Sequence, residues 1–280
     1  MCVLLLLLFS APAGTQVPGA VEELPTAIVL KPLFAQRVQI LDVAVLTPRG
    51  LLVLDRAGVT RYEQEEDLSL GQATPRWRRI ESVSLPARVW PRDLRGHLVM
   101  DRVTFGVLLP GTDCAAQFNP LRLACTERRV PWPLSSLPNG GLEPERNYFM
   151  TPEGMTVYGG STIASDGEGF IVADRQGRLT QLDANRRPVA DLGAGDDVVP
   201  LRSLCGAGRS QYLAASHGRD GDVLRALVVQ GGRVVQAAPD FPLAGAFTAL
   251  SSVDGKTFVI TRLSGADRYD AFQADISCGR

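Results

Sequence analysis

The sequence predicts an all-β chain folded as a β-propeller, with five blades as the reading and six as the alternative. Three observations predict it. A short strand-and-turn pattern recurs along the chain. Its copies stand about one four-stranded blade apart. No stretch sustains a helical period, so few helices are expected.

The clearest copy is Gly169 to Arg178. Phe170, Ile171 and Val172 form an apolar run suited to a strand buried on both faces. Asp174-Arg175-Gln176-Gly177 then fits a type I turn, with Asp able to accept from backbone N–H groups and Gly tolerant of positive φ. Leu51-Leu52-Val53-Leu54-Asp55-Arg56-Ala57-Gly58 repeats the layout, and His97-Leu98-Val99-Met100-Asp101-Arg102 repeats it without the Gly. Gln211 to His217 and Thr257 to Arg262 keep the apolar strand alone. The aligned positions 55, 101, 174, 216 and 261 lie 46, 73, 42 and 45 residues apart, three steps of blade length and one with an insertion. Asp55, Asp101 and Asp174 are therefore read as turn residues.

In chain order, residues 1–13 read as a signal peptide. Val3 to Phe9 is an apolar run too short to span a bilayer, and Ala11-Pro12-Ala13 resembles a small-residue cleavage site. Residues 14–25 read as a linker and residues 26–280 as one propeller domain. Thr26 to Leu30 is an isolated strand expected to pair into the last blade, which removes a sheet edge. The first blade runs from Asp42 to Leu85, with strands Val43–Leu46, Leu51–Leu54, Val59–Glu63 and Trp77–Leu85. The second runs from Arg88 to Thr126, with Val89–Pro91 as its inner strand and His97–Met100 and Phe105–Leu109 as the next two. Residues 130–154 form an irregular insertion broken by Pro131, Pro133, Pro138 and Pro144, with Tyr148-Phe149-Met150 as one strand. The third blade is Thr156 to Leu192. The fourth is Val199 to Phe241, with Gly231-Gly232 as a hairpin turn. The fifth takes three strands from Phe247 to Ile276, with Val253-Asp254-Gly255-Lys256 as its first turn. Six blades would require residues 126–160 to form a small one.

A formal charge of −1 gives no basis for a nucleic-acid partner or an anionic membrane surface. With 2 His residues there is little material for His-ligated metals or a His-dependent triad. No P-loop, dinucleotide fingerprint, zinc motif or nucleophile elbow appears, and neither a cofactor nor a metal is expected. Asp166-Gly167-Glu168-Gly169 reads as a Gly-rich turn, because a calcium loop needs more carboxylates. Paired carboxylates facing a central pit would signal glycoside hydrolysis, and Asp42, Asp93 and Asp197 lie near inner strands. No catalytic residue is assigned. Trp90, Asp93, Tyr148 and Tyr158, with Trp132 beside them, are the candidate face for a protein or glycan ligand; the alternative is that these aromatics fill gaps between blades.

Cys114 and Cys125 flank the turn signal Asn119-Pro120, so strands leaving and returning through it would set them opposite each other for a bridge. Removing Cys2 with the signal leaves 4 Cys and 3 connectivities. Pairing 114 with 125 leaves Cys205 with Cys278, whose strands end on one face of neighbouring blades. These bridges follow if the compartment is oxidising; from the signal peptide a secreted or periplasmic location is expected, with no membrane span after signal cleavage, and the chain is expected to be a monomer.

The copies Leu51–Gly58, His97–Arg102 and Gly169–Gly177 resemble the repeats of secreted bacterial propellers, loosely of the FG-GAP/VCBS type. The Asp-rich loop of the calcium-binding members has no counterpart here. The resemblance implies an extracytoplasmic binding or scaffolding module. The alternative from another class is a secreted glycan-processing enzyme.

Overall fold

The computed structural model describes residues 25–65, 75–86, 96–100, 105–109, 112–127, 148–151, 154–157, 160–165, 170–174, 176–185, 187–203, 205, 210–263 and 265–278. Among them there are strands and turns and no helix. β1 (Pro25–Gln36) is followed by a first sheet of β2 (Ile40–Thr47), β3 (Gly50–Asp55), β4 (Gly58–Gln64) and β5 (Trp77–Ser84). A second holds β6 (His97–Met100), β7 (Phe105–Leu109), β8 (Thr112–Gln117) and β9 (Arg122–Glu127). β10 (Tyr148–Thr151) and β11 (Gly154–Val157) pair only with each other. The third sheet is β12 (Gly160–Ser165), β13 (Phe170–Asp174), β14 (Arg178–Leu182) and β15 (Pro188–Ala194). The fourth is β16 (Asp197–Leu201), β17 (Gln211–Ser216), β18 (Val223–Gln230) and β19 (Arg233–Gln236), with β20 (Phe241–Pro242) also on β18. In the last sheet β21 (Ala246–Val253), β22 (Lys256–Leu263) and β23 (Arg268–Cys278) are joined by β1, in the order β1-β23-β22-β21.

Neighbouring strands are antiparallel throughout, and the sheets are up-and-down meanders apart from β1, which joins the last sheet beside β23, and β20, which pairs back on β18. First strands lie side by side from sheet to sheet: β12 on β16, β16 on β21, β21 on β2 and β2 on β6. This is the layout of a β-propeller.

The burial gradient follows from that layout. Second strands are covered on both faces by neighbouring sheets: Leu51 to Leu54 are buried without a break, as is all of Gln211 to Ser216. Outer strands see solvent, and β5, β15 and β19 are mostly exposed or half-buried. The core sits in the seams. Leu41, Leu52, Leu98 and Phe258 join the last, first and second sheets; Val199, Leu213 and Leu250 join the fourth and last; Ile171, Leu179 and Tyr212 join the third and fourth.

The turns follow the residues that make them. Asp174 Oδ1 accepts from the N–H groups of Gln176 at 2.8 Å and Arg178 at 2.9 Å, and Gly177 takes φ +72°. Asp55 Oδ1 accepts from Ala57 at 2.8 Å and Gly58 at 3.0 Å. Gly231 and Gly232, at φ +57° and +77°, make the two-residue link between β18 and β19 that the right-handed strand twist favours. Asp254 and Gly255 do the same between β21 and β22.

Thr26 to Leu30 pairs into the last sheet, with Ile28 opposite Ile276 and Leu30 opposite Ala274. The strand runs on to Gln36 through Pro32, beside which the register shifts. As the outermost strand it can lack a donor there, which is why Pro32 does not end it.

Three expectations are corrected. His97–Met100 is the first strand of its sheet and packs against β2, with Phe105–Leu109 as the second. A short apolar run reads the same in either position, so this copy stands out of phase with Leu51–Leu54, which lies on a second strand; Val89–Pro91 and Asp101 lie outside the described residues. Thr156 belongs to the β10–β11 pair, and the third sheet begins at Gly160. Asp197, ahead of Val199, already belongs to the fourth sheet.

Candidate functional site

The carboxylates placed near inner strands are where the sequence pointed to chemistry. Asp42 lies on β2 and is fully buried. Oδ1 accepts from the N–H of Val43 at 2.7 Å, and Oδ2 accepts from Leu98 on β6, also at 2.7 Å. Asp197 opens β16 in the same way, with Oδ1 on Val198 at 2.8 Å and Oδ2 on Leu250 of β21 at 3.1 Å. Each carboxylate thus clamps its own strand to the first strand of another sheet. Their oxygens are committed to backbone donors, and Asp42 has no surface from which to reach a substrate. This moves both from candidate catalysis to architecture; Asp93 lies outside the described residues.

Burial pushes the Asp42 carboxyl up to about 7, against the opposing effects of Ser251 and of the Leu98 and Val43 N–H groups. Ser251, itself buried on β21, makes no hydrogen bond of ordinary geometry through its hydroxyl. His97 Nδ1 stands 4.0 Å from Asp42 Oδ2.

Cys114 and Cys125 face each other on β8 and β9 and are bridged. Cys205 is buried and disulfide-bonded, and its Sγ lies 3.4 Å from the carbonyl oxygen of Ile276. Cys278 is the last residue of β23, with its side chain outside the described residues. Of the expected ligand face, Trp90, Asp93, Trp132 and Tyr158 lie outside the described residues, as do Asp166 and Glu168. Tyr148 opens β10, and its side chain is likewise outside them.

A cleft of about 460 Å³ opens between the first sheet and the bridged hairpin of the second. Leu46, Thr47, Arg49 and Gly50 form one wall, Arg61, Tyr62 and Glu63 of β4 line it, and Phe118 and Asn119 form the other wall. The parts are held firmly. The Tyr62 ring packs at a tilt against Phe34 of β1, centroids 4.8 Å apart, and Phe118 lies 5.7 Å from Phe105. The turn carrying Phe118 and Asn119 sits between the two bridged cysteines. Burial raises the Tyr62 phenol, with Asp55 adding to the effect and Arg79 opposing it, so its hydroxyl stays a neutral hydrogen-bonding group at physiological pH. Aromatic faces, guanidinium groups, a carboxylate and a carboxamide in one cleft can bind a polar ligand that also has an apolar face. The sequence reading missed this cleft. The signal was an aromatic, Phe118, directly before Asn119-Pro120 at the tip of a Cys-flanked hairpin.

Among the described residues no group of three His, Cys, Asp or Glu is placed to hold a metal ion, and no helix is long and apolar enough to cross a membrane. The chain matches no known family model and no curated protein. Solved structures similar to it include the WD40 β-propeller domain of Doa1, at 11% identity over 89% of this chain and 96% of that one, TM-score 0.45. Another is BBS1N in complex with ARL6DN, at 10% identity over 80% and 74%, TM-score 0.44. A third is the extracellular domain of the putative hybrid two component system BT3049 from B. thetaiotaomicron, at 13% identity, 84% of this chain but 35% of that one, TM-score 0.40. With TM-scores below 0.5, none of them carries a conclusion about this chain.

Proposed function

We propose that this chain is an extracytoplasmic, non-catalytic β-propeller module that binds a protein or glycan. Five four-stranded blades form the ring, with β1 closing the last one. The β10–β11 pair belongs to the insertion between the second and third blades; as a reduced blade of its own it would make six. Residues 26–280 act as one domain and as a monomer, after loss of a signal peptide at residues 1–13.

The observation that carries the reading is the use made of Asp42 and Asp197. Side chains suited to a hydrolytic pair are spent on backbone N–H groups between sheets. The cleft beside the bridged hairpin offers recognition groups on rigid supports instead. The Cys114–Cys125 bridge favours an oxidising compartment. The alternative, a glycan-processing enzyme, would need a carboxylate pair at an open surface.

A glycan and protein-partner array probed with the oxidised chain tests the proposal. Binding that is lost in Tyr62→Ala and Phe118→Ala, with folding retained, supports it. Turnover of a bound glycan would replace it with the enzymatic reading.

A further inference from the structure

Asp42-Val43 and Asp197-Val198 are two copies of one device, an Asp before a β-branched residue on a first strand. Their surroundings differ. Asp197 is half-buried, whereas Asp42 is wholly buried where β2, β6 and β21 meet, the seam of the last, first and second sheets. A carboxylate there gives up its hydration for two backbone N–H groups. It also faces a hydroxyl without a settled partner, Ser251, and an imidazole, His97.

We propose that Asp42 and Ser251 form a proton-operated latch on this seam, tight when Asp42 is neutral and loosened when it ionises. A neutral carboxyl can keep accepting from Val43 and Leu98 while donating to Ser251 Oγ, so all three contacts are made at once. An ionised one has no proton to donate, and Ser251 must turn its own hydrogen toward it. The charge is then wholly buried, with only two N–H groups, the Ser251 hydroxyl and, when protonated, His97 to replace its lost hydration.

Among the described residues, the elements packed around Asp42 offer little else to offset that charge. β3 places Leu54 opposite it, β21 contributes Ser251, and β6 contributes His97 and Leu98. The residues of β22 and β23 in the shared core include Phe258, Ile260 and Ala271, all uncharged. No other ionisable group among the described residues bonds to it. The raised carboxyl, at about 7 against an ordinary 3.8, agrees in direction with this geometry.

The sign of the effect follows from linkage. Between about pH 4 and pH 7 the folded chain holds a proton that the unfolded chain has released, so this group's contribution to stability falls as pH rises through that window. Most carboxylates with lowered values act in the opposite sense, which makes the latch separable from them.

The experiment combines melting curves at pH 5 to 8 on the oxidised chain with a carbon NMR titration of the Asp42 carboxyl in the unaltered protein. The expected results are a carboxyl midpoint between pH 6 and 8 and a melting temperature lower at pH 8 than at pH 5 by on the order of 5 °C. Asp42→Asn should abolish that difference, and His97→Gln should retain it. A carboxyl midpoint near 4 overturns the latch, as does an equal pH dependence in Asp42→Asn. Loss of the dependence in His97→Gln alone would assign it to the imidazole and also overturn it. The NMR midpoint decides the matter if Asp42→Asn fails to fold.

Discussion

Oδ2 of Asp197 accepts a hydrogen bond from the backbone N–H of Leu250, 53 residues further along and one sheet away. Between these sheets Thr257 Oγ1 also donates to the carbonyl of Pro200 at 3.1 Å. Sheets that share no ladder are thus held by side-chain bonds as well as by apolar packing. Asp197→Ala would leave the N–H groups of Val198 and Leu250 without this partner. The expected loss is about 2–4 kcal/mol, read as a lower urea midpoint with an unchanged slope. A midpoint equal to the parent's would show that the clamp contributes nothing.

The Cys205 and Cys278 pairing is expected to clasp the end of the chain. Cys205 Sγ already lies beside Ile276, two residues before Cys278. Closing a loop of this length contributes roughly 4 kcal/mol in the chain-entropy account. Cys278→Ser should therefore lower the melting temperature clearly under oxidising conditions. Peptide mapping without reduction should recover 205 joined to 278. Recovery of 205 joined to any other cysteine would refute the clasp.

The Cys114–Cys125 bridge closes a shorter loop, with a sequence separation of 11. Its contribution is about 3 kcal/mol at most by the same account. The Cys114→Ala, Cys125→Ala double variant should melt lower and also bind less well at the cleft, because Phe118 and Asn119 sit on the bridged turn. Unchanged binding would separate the bridge from the cleft.

Gly177→Ala tests the turn after β13. A Cβ there would lie 2.9 Å from Asp196 Oδ1, and the φ of +72° is unfavourable for any residue with a side chain. A loss of about 1–2 kcal/mol is expected. Gly106→Ala, in a strand where φ is ordinary and the Cβ would meet, among the described residues, only the Cys114 carbonyl at 3.3 Å, should cost less. The reverse order in chemical denaturation would contradict the turn assignment.

Lys31 and Asp275 pair at 2.7 Å across β1 and β23. The Lys31 ammonium holds the Asp275 carboxyl below its usual value, with the Ile276 N–H adding to the effect and partial burial opposing it. Such a group contributes stability above the ordinary carboxylate value that is lost as pH falls through the lowered one, the opposite sense to Asp42. Both side chains are well exposed, so Lys31→Ala should cost under about 1 kcal/mol, and less in high salt. A larger loss would mean that the pair shapes the strand junction beyond its charge.

What the sequence made legible was decided by burial. Leu51–Leu54 and Phe170–Val172 are apolar because both faces of a second strand are covered, and their Asp-led turns fixed where each strand stops. His97–Met100 is equally apolar as a first strand, so the pattern located it without ranking it. Outer strands such as Pro188–Ala194 carry little apolar signal because solvent covers them. Asp42 and Asp197 were found by position, but their partners, Leu98 and Leu250, act through backbone N–H groups that any residue supplies. Tyr62 and Phe118 lie 56 residues apart in the chain, and no local spacing could have joined them into one cleft.

The pairing of β1 with β23 has a consequence for the order of events during synthesis. Ile28 must find Ile276, so the earliest of the described strands to emerge is completed by the latest of them. Until then its ladder groups are unsatisfied, and a waiting edge is open to pairing with another copy. Pro25, Lys31 and Pro32 interrupt that edge with missing donors and a charge, features that discourage such pairing. A nascent chain stalled before residue 268 therefore carries a β1 without its partner, whose free edge is already guarded against its neighbours.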